Sequence, residues 1–248
     1  MDIIIRKAEL IKGLRSMGIR KGEHLMVHSS LKSIGYVQGG AKTVVDSLLQ
    51  ALGDNGTLMV PTFTHSDTKY YDPRKSPSKN GAITEEVRKR PSSVRSLHPS
   101  HAVTVIGPDS NELVLNDLNC EPLGKGCALD ILSKREGRIL LLGVNQEVNS
   151  TIHVGEYYAN DPDRHRLCSP DKPISIIINH PKHGEEVFLI TSMMGKTIAF
   201  EQMENVLRKN GQIVYGKLGK ALCQLMKASD VINATLDILK NGINDNLN

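Results

Sequence analysis

The stretch His24-Leu25-Met26-Val27-His28-Ser29-Ser30-Leu31-Lys32-Ser33-Ile34-Gly35-Tyr36-Val37-Gln38-Gly39-Gly40 runs on into Ala41 to Leu52 and then Gly56 to Val60. His24 to His28 reads as a short strand. Val44, Val45, Leu48, Leu49 and Leu52 share one face at helical spacing, and Gly53 closes that helix. Gly56 to Val60 reads as a buried strand ending at Pro61. Strand, glycine-bearing loop, helix, strand is the building unit of a layered α/β protein.

The same alternation extends outward. Residues 6 to 18 place Ala8, Leu10, Ile11, Leu14 and Met17 at helical period, with Gly18 as a stop. Residues 65 to 80 are rich in Ser, Asp, Lys and Pro and read as a long surface loop. A short helix is expected over Ala82 to Arg90, a strand over Ala102 to Ile106, a helix over Ala128 to Ser133 and an apolar strand over Arg138 to Gly143. Ile174 to Ile178 and Glu186 to Ile190 read as a hairpin across His180 to Gly184. A helix over Phe200 to Lys209, a strand over Gln212 to Tyr215 and a long amphipathic helix over Lys220 to Lys240 complete the chain. These elements predict one α/β domain over residues 1–248, with a mixed sheet and a β-rich insert in its C-terminal third.

At 248 residues the chain is long enough to bury a large core. No apolar run is long enough to cross a membrane, and Met1 to Lys7 lacks the pattern of a signal peptide, which makes the cytoplasm the expected location. Cys120, Cys127, Cys168 and Cys223 are scattered and form no zinc or redox spacing. Net charge is +4, with the basic residues dispersed and no RNA or DNA motif beside them, so nucleic acid is not an expected partner. A small polyanion suits that balance equally well.

The loop after the first strand has the order that makes an anion site. Backbone N–H groups and the positive end of the following helix face it. Ser29, Ser30 and Ser33 add hydroxyls and Lys32 adds charge. No Gly-Lys-Ser/Thr closes the loop and no G-x-G-x-x-G occurs in it, so neither a Walker A nor a Rossmann site is expected. A plain strand-to-helix connection would look the same.

His153 and Glu156 sit in Asn149-Ser150-Thr151-Ile152-His153-Val154-Gly155-Glu156-Tyr157. Ser150 or Thr151 can cap a helix start there. Positions three apart share a helix face, so imidazole and carboxylate would project together as an oriented general base. Such pairs also occur on solvated helix faces. Arg95-Ser96-Leu97-His98-Pro99-Ser100-His101 is a second polar cluster, readable as a cleft wall or as a loop with satisfied histidines. A zinc site from His98, His101 and His153 lacks ligand spacing, so no metal is expected. No G-x-S-x-G elbow is present.

Taken in order, these segments resemble the aminoglycoside 3-N-acetyltransferase family. The resemblance is carried by His28-Ser29-Ser30-Leu31 with Gly35-Tyr36-Val37 and Gly39-Gly40, by Gly56 to Thr64, and by Arg95 to His101. It continues through Pro122-Leu123-Gly124, Leu140 to Val144, Thr151 to Glu156, Gly216 to Gly219 and Leu225 to Asp230. It implies a three-layer α/β/α sandwich, acetyl-CoA as donor and a small-molecule amine as acceptor. It implies that Ser29, Ser30, Leu31, Ser33, Gly35, Tyr36 and Val37 hold the cofactor's pyrophosphate and pantetheine, with Arg95 and Ser96 near it. His153 would be the base and Glu156 its partner. A hydroxyl such as that of Thr64, or a backbone N–H, would serve a developing oxyanion. A homodimer is compatible with the sequence.

Two departures concern the acceptor. Asn149 stands where the family often has Asp, and Ala102 where it has Ser. Polycationic acceptors favour an acidic cleft, and its candidates are Glu147 and Glu156, Asp161 and Asp163, or Glu201 and Glu204.

Overall fold

The computed structural model describes residues 4–64, 69–115, 118–121, 123–160, 173–190 and 196–241. Expectations that concern residues 65–68, Pro122, Asp161, Asp163, Cys168 and 242–248 lie outside them. The strands are β1 (His24–Ser29), β2 (Thr57–Pro61), β3 (Tyr70–Tyr71), β4 (Val94–Arg95) and β5 (Val103–Ile106). They continue with β6 (Arg138–Leu142), β7 (Ile174–His180), β8 (Gly184–Ile190), β9 (Val214–Leu218) and β10 (Ala221–Lys227). The helices are α1 (Lys7–Ser16), α2 (Leu31–Ile34), α3 (Gly40–Leu52), α4 (Ala82–Arg88) and α5 (Ser110–Val114). After them come α6 (Ala128–Lys134), α7 (Thr151–Tyr158), α8 (Gln202–Lys209) and α9 (Ala228–Asn241).

Seven strands form a mixed sheet in the order β4-β5-β2-β1-β6-β10-β9. β1 is parallel to both β2 and β6, and the remaining pairs are antiparallel. Successive side chains on a strand point to opposite faces. Leu25, Val27, Leu58, Val60, Leu140 and Leu142 therefore pack with α1 and α3 on one side. Met26, Met59, Val105, Ile139, Leu141 and Met226 pack with α6, α7, α8 and α9 on the other. Sheet between two helical layers is the three-layer sandwich that the resemblance implies.

The connection from β1 to β2 runs through α3 on one face, and the route into β6 runs through α5 and α6 on the other. The sheet order reverses at β1. Ligands of open α/β sheets bind at such a point, beyond the carboxyl ends of the strands. Ser29 ends β1 there, in register with Leu142 at the end of β6.

Three expectations need correction. Residues 221–227 are not the start of the terminal helix but β10, inside the sheet between β6 and β9. Cys223 and Leu225 feed one core and Met226 the other, so apolar residues on both faces of one strand mimic a helical stripe. The strand expected over Gln212 to Tyr215 lies two residues later, paired with β10. The surface loop over 65–80 contains Tyr70 and Tyr71, which pair with Ile177 and Ile178. They join the β7–β8 hairpin in a second, three-stranded sheet. Tyr71 is fully buried and donates its hydroxyl to the Ser96 carbonyl at 2.7 Å, which ties the small sheet to the large one.

His28 and His98 are buried, and burial pushes both imidazoles down to about 4 from an ordinary 6.5. Between those values the unfolded chain binds protons that the folded chain excludes, so stability falls as pH falls through this window. At pH 5 each group withdraws roughly 2 kcal/mol. Calorimetry is expected to show a lower thermal midpoint at pH 5 than at pH 7, with a shallower slope when both histidines are replaced by Gln. A midpoint flat over that range would contradict this account.

Candidate active site

α7 begins just past the carboxyl end of β6, after a 3-10 turn over Gln146–Val148. The cap differs from the expected one. Ser150 makes no side-chain cap bond, and the Asn149 Oδ1 accepts from the Thr151 N–H at 3.3 Å. Asn149 is fully buried, and its Nδ2 donates to Gln146 Oε1 at 2.8 Å. Its amide is built into the protein.

The expected pair is formed. His153 Nδ1 and Glu156 Oε2 lie 2.6 Å apart. Glu156 is fully buried, and its other oxygen accepts from the Thr197 N–H at 2.9 Å and the Thr197 hydroxyl at 2.8 Å. Burial acts to raise the Glu156 carboxyl, but the bond and charge of His153 and both Thr197 donors outweigh it and hold the group below its ordinary value. An ionised Glu156 accepts Nδ1–H, which leaves the imidazole lone pair on Nε2. The ring packs against Phe200 at 4.9 Å between centroids. Lys196 stacks over Phe200 at 4.6 Å and pairs with Glu147, so a cation and an acid cover this wall. Nothing in the sequence around Thr197 marks it as a partner of a residue 41 positions earlier.

Gly155 lies between the pair and lets α7 approach α9. A Cβ there would stand 2.4 Å from Thr235 Cβ.

The serine loop is more structured than its sequence suggests. Ser30 caps α2, accepting from the Ser33 N–H at 3.3 Å and the Ser33 hydroxyl at 2.9 Å. Leu31 packs on the core and Val37 is buried in it, whereas Tyr36 is 61% exposed. Gly35 holds φ +97°, a conformation that favours glycine. The Ser29 hydroxyl is buried with no hydrogen-bond partner. Ser33 lines a groove of about 660 Å³ with Gly143, Asn145, Tyr215, Lys220 and Gln224. Gly143, at φ +69°, admits Ser33 closely: a Cβ there would meet Ser33 Cβ at 2.5 Å.

Arg95 and Ser96 do not line that groove. β4 is three strands from β1, roughly 14 Å across the sheet. Arg95 is buried, donates to Thr62 Oγ1 at 3.1 Å and to the Ser76 and Thr62 carbonyls, and stacks on Tyr71. The Ser96 hydroxyl accepts from the Val103 N–H at 3.0 Å. Thr64 donates its hydroxyl to the Pro99 carbonyl, which uses the proton an oxyanion would need. His98 accepts from the His101 N–H at 3.1 Å. Among the described residues, no group of His, Cys, Asp and Glu is arranged to hold a metal ion. Nor is any helix there long and apolar enough to cross a membrane.

Residues 26–240 match the sequence family described as aminoglycoside 3-N-acetyltransferase. Aminoglycoside N(3)-acetyltransferase IV of Salmonella sp is 29% identical over 237 residues, covering 93% of this chain and 86% of the relative. The crystal structure of an aminoglycoside acetyltransferase, a histidine-to-alanine variant in complex with a gentamicin, superposes with a TM-score of 0.84. It is 26% identical and covers 97% of this chain and 90% of its own. A relative solved in binary complex with CoASH shares the fold at a TM-score of 0.81 and 20% identity, covering 96% of this chain and 97% of its own.

Proposed function

The chain belongs to the aminoglycoside 3-N-acetyltransferase family, and from that premise we propose that it transfers an acetyl group from acetyl-CoA to the 3-amino group of an aminoglycoside, with His153 as general base. The observation that carries this reading is the His153–Glu156 pair, with its carboxylate buried and oriented by Thr197.

The acetyl-CoA thioester supplies an acyl group that is already activated. The obstacle is the acceptor, because an alkyl ammonium has no lone pair with which to attack. His153 Nε2 takes the proton, and Glu156 keeps Nδ1–H in place and balances the imidazolium charge. The freed amine attacks the thioester carbonyl, and the C–S bond breaks to release a CoA thiolate that takes up a proton as the amide nitrogen loses its second one. The groove at Ser33 fits the donor. Ser33, Asn145 and Tyr215 line it with polar groups, and Lys220 brings positive charge for a pyrophosphate. Ser30 and Gly35 shape the loop, Tyr36 offers an exposed ring, and Leu31 and Val37 offer backbone while their side chains serve the core. Arg95 and Ser96 take a structural part, holding the β4 edge to the small sheet.

The test is mass spectrometry of the acceptor after incubation with acetyl-CoA. A single addition of about 42 Da, the mass of one acetyl group in place of hydrogen, at the 3-amino position is expected, by the stoichiometry of N-acetylation. Acetylation confined to other amino sugars would keep the chemistry and overturn the acceptor. Free acetate without an acetylated amine would mean a thioester hydrolase.

Glu156→Gln keeps an oxygen for Nδ1–H, removes the charge and sets an NH2 against the Thr197 N–H in place of the second accepting oxygen. A hydrogen bond to a charged group contributes roughly 1.5–3 kcal/mol, so a kcat lower by about 10- to 100-fold is expected. The acetyl-CoA KM should stay near wild type. A change confined to KM would place Glu156 in binding instead.

A further inference from the structure

Four side chains from three separate parts of the sequence form a continuous chain of hydrogen bonds between the groove and the first turn of α7. Gln224 Nε2 donates to Glu204 Oε2 at 2.8 Å, and Gln146 Nε2 donates to Gln224 Oε1 at 2.7 Å. Asn149 Nδ2 donates to Gln146 Oε1 at 2.8 Å, and the Thr151 N–H donates to Asn149 Oδ1 at 3.3 Å. Gln146 and Asn149 are almost wholly buried and Gln224 is 8% exposed. Glu204 and Gln224 line the groove that holds Ser33.

The chemistry of the two ends gives this chain a direction. A backbone N–H can only donate, and an ionised carboxylate can only accept. Each amide between them has one accepting and one donating end. The three amides satisfy both ends in one orientation only, and that is the orientation observed. We propose that Asn149, Gln146 and Gln224 are positioning residues, a one-way amide relay that anchors the first turn of α7 and so sets where His153 stands. The relay is a structural device whose kinetic consequence rests on His153 being the base.

Because the relay has a direction, an acceptor-only side chain in its interior forces a conflict. Aspartate at 149 would accept from the Thr151 N–H and require Gln146 to turn its Nε2 toward it. Gln224 would then turn as well and set its Oε1 against the Glu204 carboxylate. Glutamine at 204 removes that conflict, since its Nε2 can donate to the reversed Gln224. It also fits the native direction, since its Oε1 can accept.

The experiment compares wild type, Asn149→Asp, Glu204→Gln and the double variant, by thermal midpoint and by kcat for acetyl transfer. Asn149→Asp is expected to lower the midpoint by about 6 °C, the scale of one pair of facing buried acceptors in a chain of this size. It is also expected to lower kcat about tenfold. The double variant is expected to recover at least about half of both losses, on the ordinary scale of coupling between residues of one network. Additive midpoints, or an Asn149→Asp protein as stable as wild type, would overturn the relay. If Asn149→Asp does not fold, Gln224→Glu puts the same two acceptors face to face nearer the groove. Glu204→Gln must then relieve it, and failure to do so overturns the proposal. The midpoints decide this even if wild type moves no acetyl group, which would overturn the proposed activity alone.

Discussion

Replacing His153 with alanine is expected to lower kcat for acetyl transfer at least ~100-fold, the usual scale for loss of a general base. The acetyl-CoA KM should change little, because His153 stands on α7 and the proposed donor groove is built from the serine loop, Gly143 and the β9–β10 edge. Fold loss is not expected, since the ring is part-exposed at one wall and its removal leaves Glu156 with both Thr197 donors. Steady-state kinetics with an aminoglycoside as acceptor, run beside a thermal melt, separates these effects. Turnover within a few-fold of wild type in a folded His153→Ala protein would remove the histidine from the mechanism.

The second large effect is steric. Gly155→Val should destabilise the protein by roughly 3 kcal/mol, the upper range for overpacking a well-packed site. Helix propensity alone favours replacing a mid-helix glycine, because glycine costs about 1 kcal/mol there relative to alanine. The geometry reverses that sign. Any side chain must displace Thr235, whose Cβ, Cγ2 and Oγ1 lie 2.4 to 2.8 Å from the position a Cβ would take. Thr235 is itself pinned, its hydroxyl donating to the Val231 carbonyl at 2.8 Å. A melt by circular dichroism checks the loss, expected as a midpoint lower by about 6–12 °C for a chain of this size. Thr235→Gly in the same protein should restore part of it. An unchanged midpoint for Gly155→Val would mean that α7 and α9 are not in close contact. Separation of the two helices would also move His153, so activity should fall with stability.

Much of this architecture was legible because local signals and tertiary demands agree. Val44, Val45, Leu48 and Leu52 face the sheet as their spacing predicts, and Gly53 closes the helix at φ +67°. His153 and Glu156 meet because positions three apart on a helix share a face, a rule that needs no knowledge of the rest of the fold. What was not legible depends on the order of strands. Residues 221–227 are strand because β6 and β9 flank them, and no property of seven mostly apolar residues reveals two neighbours from distant parts of the chain. Tyr70 and Tyr71 are strand because the β7–β8 hairpin, a hundred residues later, offers an edge. The Thr197 donors and the relay through Gln146 and Gln224 were hidden for the same reason. Their partners are separated by 41, 78 and 20 positions, and the last two contacts form only when β10 inserts beside β6. The departure at Asn149 was visible in the sequence, but its buried, hydrogen-bonded setting was not.

The most direct test of the proposed activity is release of CoA thiol from acetyl-CoA by wild type and by His153→Ala, each with and without an aminoglycoside. Release that depends on the aminoglycoside is expected in wild type and is expected to be nearly absent in the variant. Release of equal size without any amine, or equal in the two proteins, would contradict the proposed activity.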